Sequence, residues 1–161
     1  MENIILTSGI AFGIINYGMI AKWYVIPALD KLPGSTALVP LILLHCFRYI
    51  GLSFILPGVV SADLSPTFAV PTAYGDLITS LLALVAVTAL SNRWTVAIPC
   101  VWIFNIVGTL DLLNALPQGL LHIHAGQLGG AYLIPGLIVP ALFVSHFLVF
   151  RILLKRVDFR P

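Results

Sequence analysis

Long apolar runs, broken by short polar or proline-containing stretches, dominate this chain. Five of them reach the roughly 20 mostly apolar residues that a bilayer-crossing helix needs. They cover approximately residues 4–26, 37–60, 70–90, 94–116 and 130–154. The breaks have turn chemistry: "KLPGST" precedes the second run and "SNR" separates the third from the fourth. Trp23 and Tyr24 close the first run with side chains suited to an interface. Neither strand-like alternation nor ten-residue barrel segments occur. The pattern predicts an all-α polytopic membrane bundle, a single domain over residues 1–161, without a soluble linker or an internal repeat. Met1-Glu2-Asn3 supplies no basic leader, and the first apolar run outlasts a signal peptide, so it is expected to be a retained span.

Composition sharpens this picture. The chain is 60% hydrophobic and 9% charged, whereas soluble domains carry about 25% charged residues. A formal charge of +2 gives no reason to expect a nucleic-acid partner; the bilayer is the expected one. Cys46 and Cys100 both sit in apolar runs without a CxxC or Cys/His pattern, so they read as buried thiols and signal neither disulfides nor zinc.

Charge placement predicts orientation. Lys22, Lys31, Arg93, Arg151, Lys155, Arg156 and Arg160 all fall on one side of a five-span topology. Glu2, Asp63, His122 and His124 fall on the other. The positive-inside tendency then puts the N-terminus outside and the C-terminus in the cytoplasm of the plasma (inner) membrane.

The eighth cation breaks the pattern. Arg48, in "LLHCFRYIGL", lies near the middle of the second span, where a charged side chain costs about 2.5–3.5 kcal/mol on insertion scales. Candidate partners sit at matching depth. "PTAYGDLITS" brings Asp76, and "FNIVGTLDLLNAL" brings Asn105, Asp111 and Asn114. An Arg between two Asp satisfies several donors through charge-assisted bonds. One Arg with two Asp sums to −1 if all are ionised, so a proton or a cation is expected there. Either a structural ion pair that fixes helix register or a ligand or ion site accounts for such a cluster.

Spacing adds detail. Trp102, Asn105, Gly108, Asp111 and Asn114 recur every third residue and form a slowly winding polar stripe expected to face the bundle interior. Thr72, Asp76, Ser80 and Ala83 share one helical face. Gly9 and Gly13 form a small-xxx-small pattern, expected to mark close packing, and Asn16 beyond them is at a depth to join Arg48. His45 shares a face with Arg48, and His146 is expected at similar depth. The two histidines could carry a proton relay or, alternatively, ligate haem b. His122 and His124 are expected to be solvated in an outer loop. Pro57, Pro99, Pro135 and Pro140 interrupt spans and free carbonyls.

Walker A, GxGxxG, GxSxG and HExxH motifs are absent, as is a mid-span lysine for a retinal Schiff base. No metal site or resident cofactor is therefore expected. The candidate ligand-binding or relay residues are Arg48, Asp76, Asp111, Asn105, His45, His146, Asn16 and Asn114. Three functions fit: binding or conduction of a proton or small polar solute; a b-type cytochrome or membrane enzyme using His45 and His146; and a non-catalytic accessory subunit of a membrane complex. Homo-oligomerisation is compatible with each.

Overall fold

Proline and glycine set the limits of the helices. A computed structural model of the chain describes residues 2–155. Arg156 and Arg160, assigned to the basic side from the sequence, lie outside the described residues, as do the side chains of Glu2 and His122. Among the described residues the fold is all-helical, without a named strand. Five helical segments are long and apolar enough to cross a membrane: Asn3–Leu29, Gly34–Ile55, Pro66–Ser91, Ala97–Leu121 and Ile134–Lys155. We refer to them as spans one to five. The second ends earlier than expected because Leu56-Pro57-Gly58 leaves the helix, with Gly58 at φ +83°. The fourth runs further, since Pro117 is accommodated within it.

Prolines also explain irregular turns inside two spans. Pro27 has no N–H to give, and the turn before it, Ala21–Val25, widens to a π-helix. Pro140 acts likewise on Ile134–Ile138. Such one-turn bulges arise where the regular ladder loses a donor.

Span two changes type part-way. Gly34–His45 is α-helical and Cys46–Ile55 is a 3₁₀-helix. Runs of 3₁₀-helix seldom exceed three or four residues, so ten is unusual. The consequence is geometric. In an α-helix each three-residue step drifts about 60° around the axis, which would turn Phe54 to the opposite side from His45. In a 3₁₀-helix residues i and i+3 eclipse, and His45, Arg48, Gly51 and Phe54 are all buried.

The interior has three layers. An apolar cluster including Leu38, Ile42, Ala86, Phe104 and Val149 fills the end where the Lys and Arg residues gather. A second, including Leu6, Phe54, Phe68, Ile123 and Leu128, fills the other end. The buried polar residues lie between them. Span one sits at the side of the bundle, packed on span five. A Cβ at Gly13 would come within 2.7 Å of Pro140 Cγ, so the small-residue pattern serves close packing there. At the basic end, Arg151 donates two bonds of 2.9 Å to the exposed Asp30 carboxylate.

A cap closes the opposite end. It joins the loop of residues 56–65 to the short 3₁₀-helix Ala125–Tyr132. Gly130 N–H donates to the Val59 carbonyl and Ser61 N–H to the Gln127 carbonyl, both at 2.9 Å. Between them Gly129 adopts φ +48°, and a Cβ there would collide with the Val59 carbonyl oxygen. Gly129→Ala should therefore loosen this junction at a cost of about 1 kcal/mol. Faster amide exchange at Ser61 and Gly130, with the interior amides unchanged, is the expected readout.

Candidate functional site

Four elements meet at the polar layer. The 3₁₀ segment of span two supplies Arg48 and, three residues on, Gly51. Span three supplies Asp76, span four Asn105 and Asp111, and span five Ser145 and His146. Arg48 is 1% exposed. Its Nε donates to Asp76 Oδ1 at 2.7 Å. Its Nη2 lies 2.7 Å from that same oxygen and donates to Asp111 Oδ2 at 2.5 Å. Its Nη1 donates to the Gly108 carbonyl at 3.2 Å and lies 3.3 Å from His146 Nε2. A guanidinium has five N–H donors, and these contacts engage all three of its nitrogens.

The histidine tautomer follows from its neighbours. His146 Nε2 faces an Arg48 N–H and must accept. Nδ1 then carries the proton and donates to Asn105 Oδ1 at 2.7 Å. Asn105 Nδ2 donates in turn to the His146 carbonyl at 3.3 Å. Both ends of the amide are thereby used, which fixes the imidazole against Arg48.

His45 continues the network. Its ring lies 4.1 Å from that of His146, centroid to centroid, and Phe104 packs against both, at 5.0 Å and 5.4 Å. Its Nε2 is 2.5 Å from Ser145 Oγ, whose hydroxyl lies within 3.3 Å of the Leu142 carbonyl. His45 Nδ1 is buried and has no partner among the described residues.

Close approach depends on three glycines. A Cβ on Gly51 would overlap the Asp76 carboxylate, and one on Gly75 would overlap Asp111 Oδ1. A Cβ on Gly108 would stand 2.6 Å from Thr79 Cγ2 and 2.7 Å from His146 Cε1. Each helix carries a notch where its neighbour brings a polar side chain. Ser80 Oγ adds a bond to the Cys46 carbonyl at 2.7 Å, where span two changes from α to 3₁₀.

Six of the eight residues nominated from the sequence are brought together: Arg48, Asp76, Asp111, Asn105, His45 and His146. Two are not. Asn16 is exposed on span one, because that helix packs on span five and turns its middle away from Arg48. Asn114 is also exposed and accepts a bond from Gln118 at 2.9 Å. The three-residue stripe of span four winds out of the core before it reaches position 114, as the drift of an α-helix requires. Gly51, Gly75 and Ser145 escaped the sequence reading. Their signals were adjacency alone: Gly75 precedes Asp76, Ser145 precedes His146, and Gly51 follows Arg48 by three.

Toward the cap, Asp76 and Thr72 border an apolar cavity of about 50 Å³, lined also by Phe54, Phe68 and Leu112. Haem does not fit between the two histidines. Their rings are in contact, whereas axial ligation needs a macrocycle between them, and three of their four ring nitrogens already face protein partners. Among the described residues no cluster of three or more His, Cys, Asp or Glu suits a metal ion.

Residues 5–154 match the family described as Domain of unknown function (DUF8737). The chain belongs to the DUF8737 family. That match takes in spans two to four of this DUF8737 protein, nearly all of spans one and five, and every residue of the polar layer. No curated protein and no solved structure matches the chain.

Proposed function

We propose that this DUF8737 protein is an integral membrane protein that binds a proton, or a small cation, at the Asp76–Arg48–Asp111 cluster and exchanges it with the capped side. One observation carries the reading: two carboxylates share one guanidinium. Oδ1 of Asp76 and Oδ2 of Asp111 take the Arg48 bonds. Asp76 Oδ2 and Asp111 Oδ1 have no hydrogen-bond donor among the described residues. The formal sum of −1 leaves one negative charge that a proton on either carboxylate, or a small cation beside them, would balance. An anionic solute finds no free donor there, because the Arg48 nitrogens are already engaged.

Further features fit this reading. The cavity beside Asp76 lies on the capped side of the cluster, with Thr72 as its other polar side chain. His146, His45 and Ser145 extend the polar path toward the basic end, where the apolar layer around Phe104 closes it. Lys22, Lys31, Arg93, Arg151 and Lys155 gather at that end, which favours an N-terminus outside and a C-terminus in the cytoplasm of the plasma (inner) membrane.

The test is flux into vesicles holding a pH-sensitive dye. Purified protein should pass protons faster than protein-free vesicles, and Asp76→Asn and Asp111→Asn should each lower the rate toward that background. Carboxamide variants that conduct like wild type, or wild type that conducts like empty vesicles, would remove the proposal. The completeness of Arg48's bonding favours a second reading, a non-catalytic subunit whose ion cluster only sets helix register. It requires no flux and a fixed copurifying partner.

A further inference from the structure

Span one contributes least to the bundle, and it carries an unanswered polar group. Only Leu6, Ile10, Ala21 and Leu29 of this span are buried. Asn16 is the middle residue of Asn3–Leu29, is exposed, and makes no hydrogen bond to a described residue. The centre of a bilayer holds no water for a side-chain amide, and leaving its donors and acceptor unmet costs several kcal/mol.

The surroundings of Asn16 are patterned. Ile5, Gly9, Phe12, Asn16, Met19 and Trp23 follow one another at alternating steps of four and three. Alternation of four and three is the spacing of a left-handed coiled-coil seam. At about 100° per residue, the six fall within a sector of about 80°. The large side chains on it are open: Phe12 is 67% exposed, Trp23 60% and Ile5 58%. Lys22 is not part of the seam.

We propose that this seam is a homodimer interface, in which span one packs in parallel against span one of a second copy and the two Asn16 amides bond reciprocally. A second copy is the occupant because an amide is both donor and acceptor, and so complements itself. A two-fold axis along the membrane normal brings the identical residue to the identical depth. A single Asn among apolar seam residues fixes register and oligomer state in parallel coiled coils. Gly9 lies at the edge of the seam, beside Tyr132 of its own chain, while Phe12 and Met19 fill the seam on either side of the amide pair. The interface lies away from Arg48, so it rests on membrane insertion and not on proton binding.

The test uses full-length protein in phosphatidylcholine vesicles. Energy transfer between donor- and acceptor-labelled copies, followed as lipid dilutes them, reads self-association. Asn16→Leu should weaken it about tenfold, and Asn16→Gln should restore part of the loss. Because Asn16 makes no hydrogen bond to a described residue, the thermal unfolding of Asn16→Leu should match wild type. In a Cys46→Ala/Cys100→Ala background, Phe12→Cys on the seam should form disulfide-linked dimers on oxidation. Ile15→Cys, exposed but off the seam, should not. Self-association no stronger than that of an unrelated monomeric membrane protein, undiminished association of Asn16→Leu, or equal cross-linking at positions 12 and 15 would overturn the proposal.

Discussion

Arg48→Met should cost the protein about 3–5 kcal/mol of stability, the usual penalty for removing one partner of a buried ion pair. The substitution roughly preserves side-chain length but leaves Asp76 and Asp111 facing each other without a cation. It also strips the donors from the Gly108 carbonyl and from His146 Nε2. Unfolding in mixed detergent micelles is the measurement. Arg48→Lys should recover only part of the loss, because an ammonium has three donors on one atom and cannot span two carboxylates, a carbonyl and an imidazole as the planar fork does. The triple variant Arg48→Met/Asp76→Asn/Asp111→Asn should be more stable than Arg48→Met alone, since no carboxylate then lacks its counter-charge. If Arg48→Met unfolds like wild type, the guanidinium is not the centre of this layer.

The second large effect is expected at the helix notches. Gly51→Ala and Gly75→Ala each add one methyl group, ordinarily a mild change on a helix. Here the new carbon would occupy the space of the Asp76 carboxylate in one case and the Asp111 carboxylate in the other. Overpacking alone costs about 1–3 kcal/mol. Displacing a carboxylate from Arg48 adds to it, so a loss of about 3 kcal/mol is expected for each variant. A double-mutant cycle isolates the cause. In an Asp111→Ala background, Gly75→Ala should cost little, because the Asp111 atoms it collides with are gone. Equal costs in both backgrounds would show that Gly75 matters for some reason other than room for Asp111.

These two predictions concern residues that differ in how far the sequence reveals them. Arg48 declares itself, because a lone cation in an apolar run is costly wherever its helix points. Asp76, Asp111 and Asn105 follow from it as the polar groups of neighbouring spans at similar depth. Gly51 and Gly75 do not declare themselves, since glycine is common in membrane helices and nothing local distinguishes a notch from a neutral position. His45 lies at an intermediate level. Its spacing from Arg48 suggests a shared face, but the 3₁₀ geometry of Cys46–Ile55 keeps that face aligned as far as Phe54.

Asn16 and Asn114 draw the same boundary from the other side. Both lie on the spans expected of them, yet neither faces Arg48. Depth along a helix is counted in residues at a fixed rise, so the sequence alone determined the five apolar helices and the approximate level of each polar group. Azimuth is different. Each residue turns a helix by about 100°, and which side becomes interior depends on where the neighbouring helices stand. Only the tertiary structure decided that span one lies to the side of the bundle, that span two tightens into a 3₁₀-helix, and that three glycines open the space in which one guanidinium meets two carboxylates and a histidine.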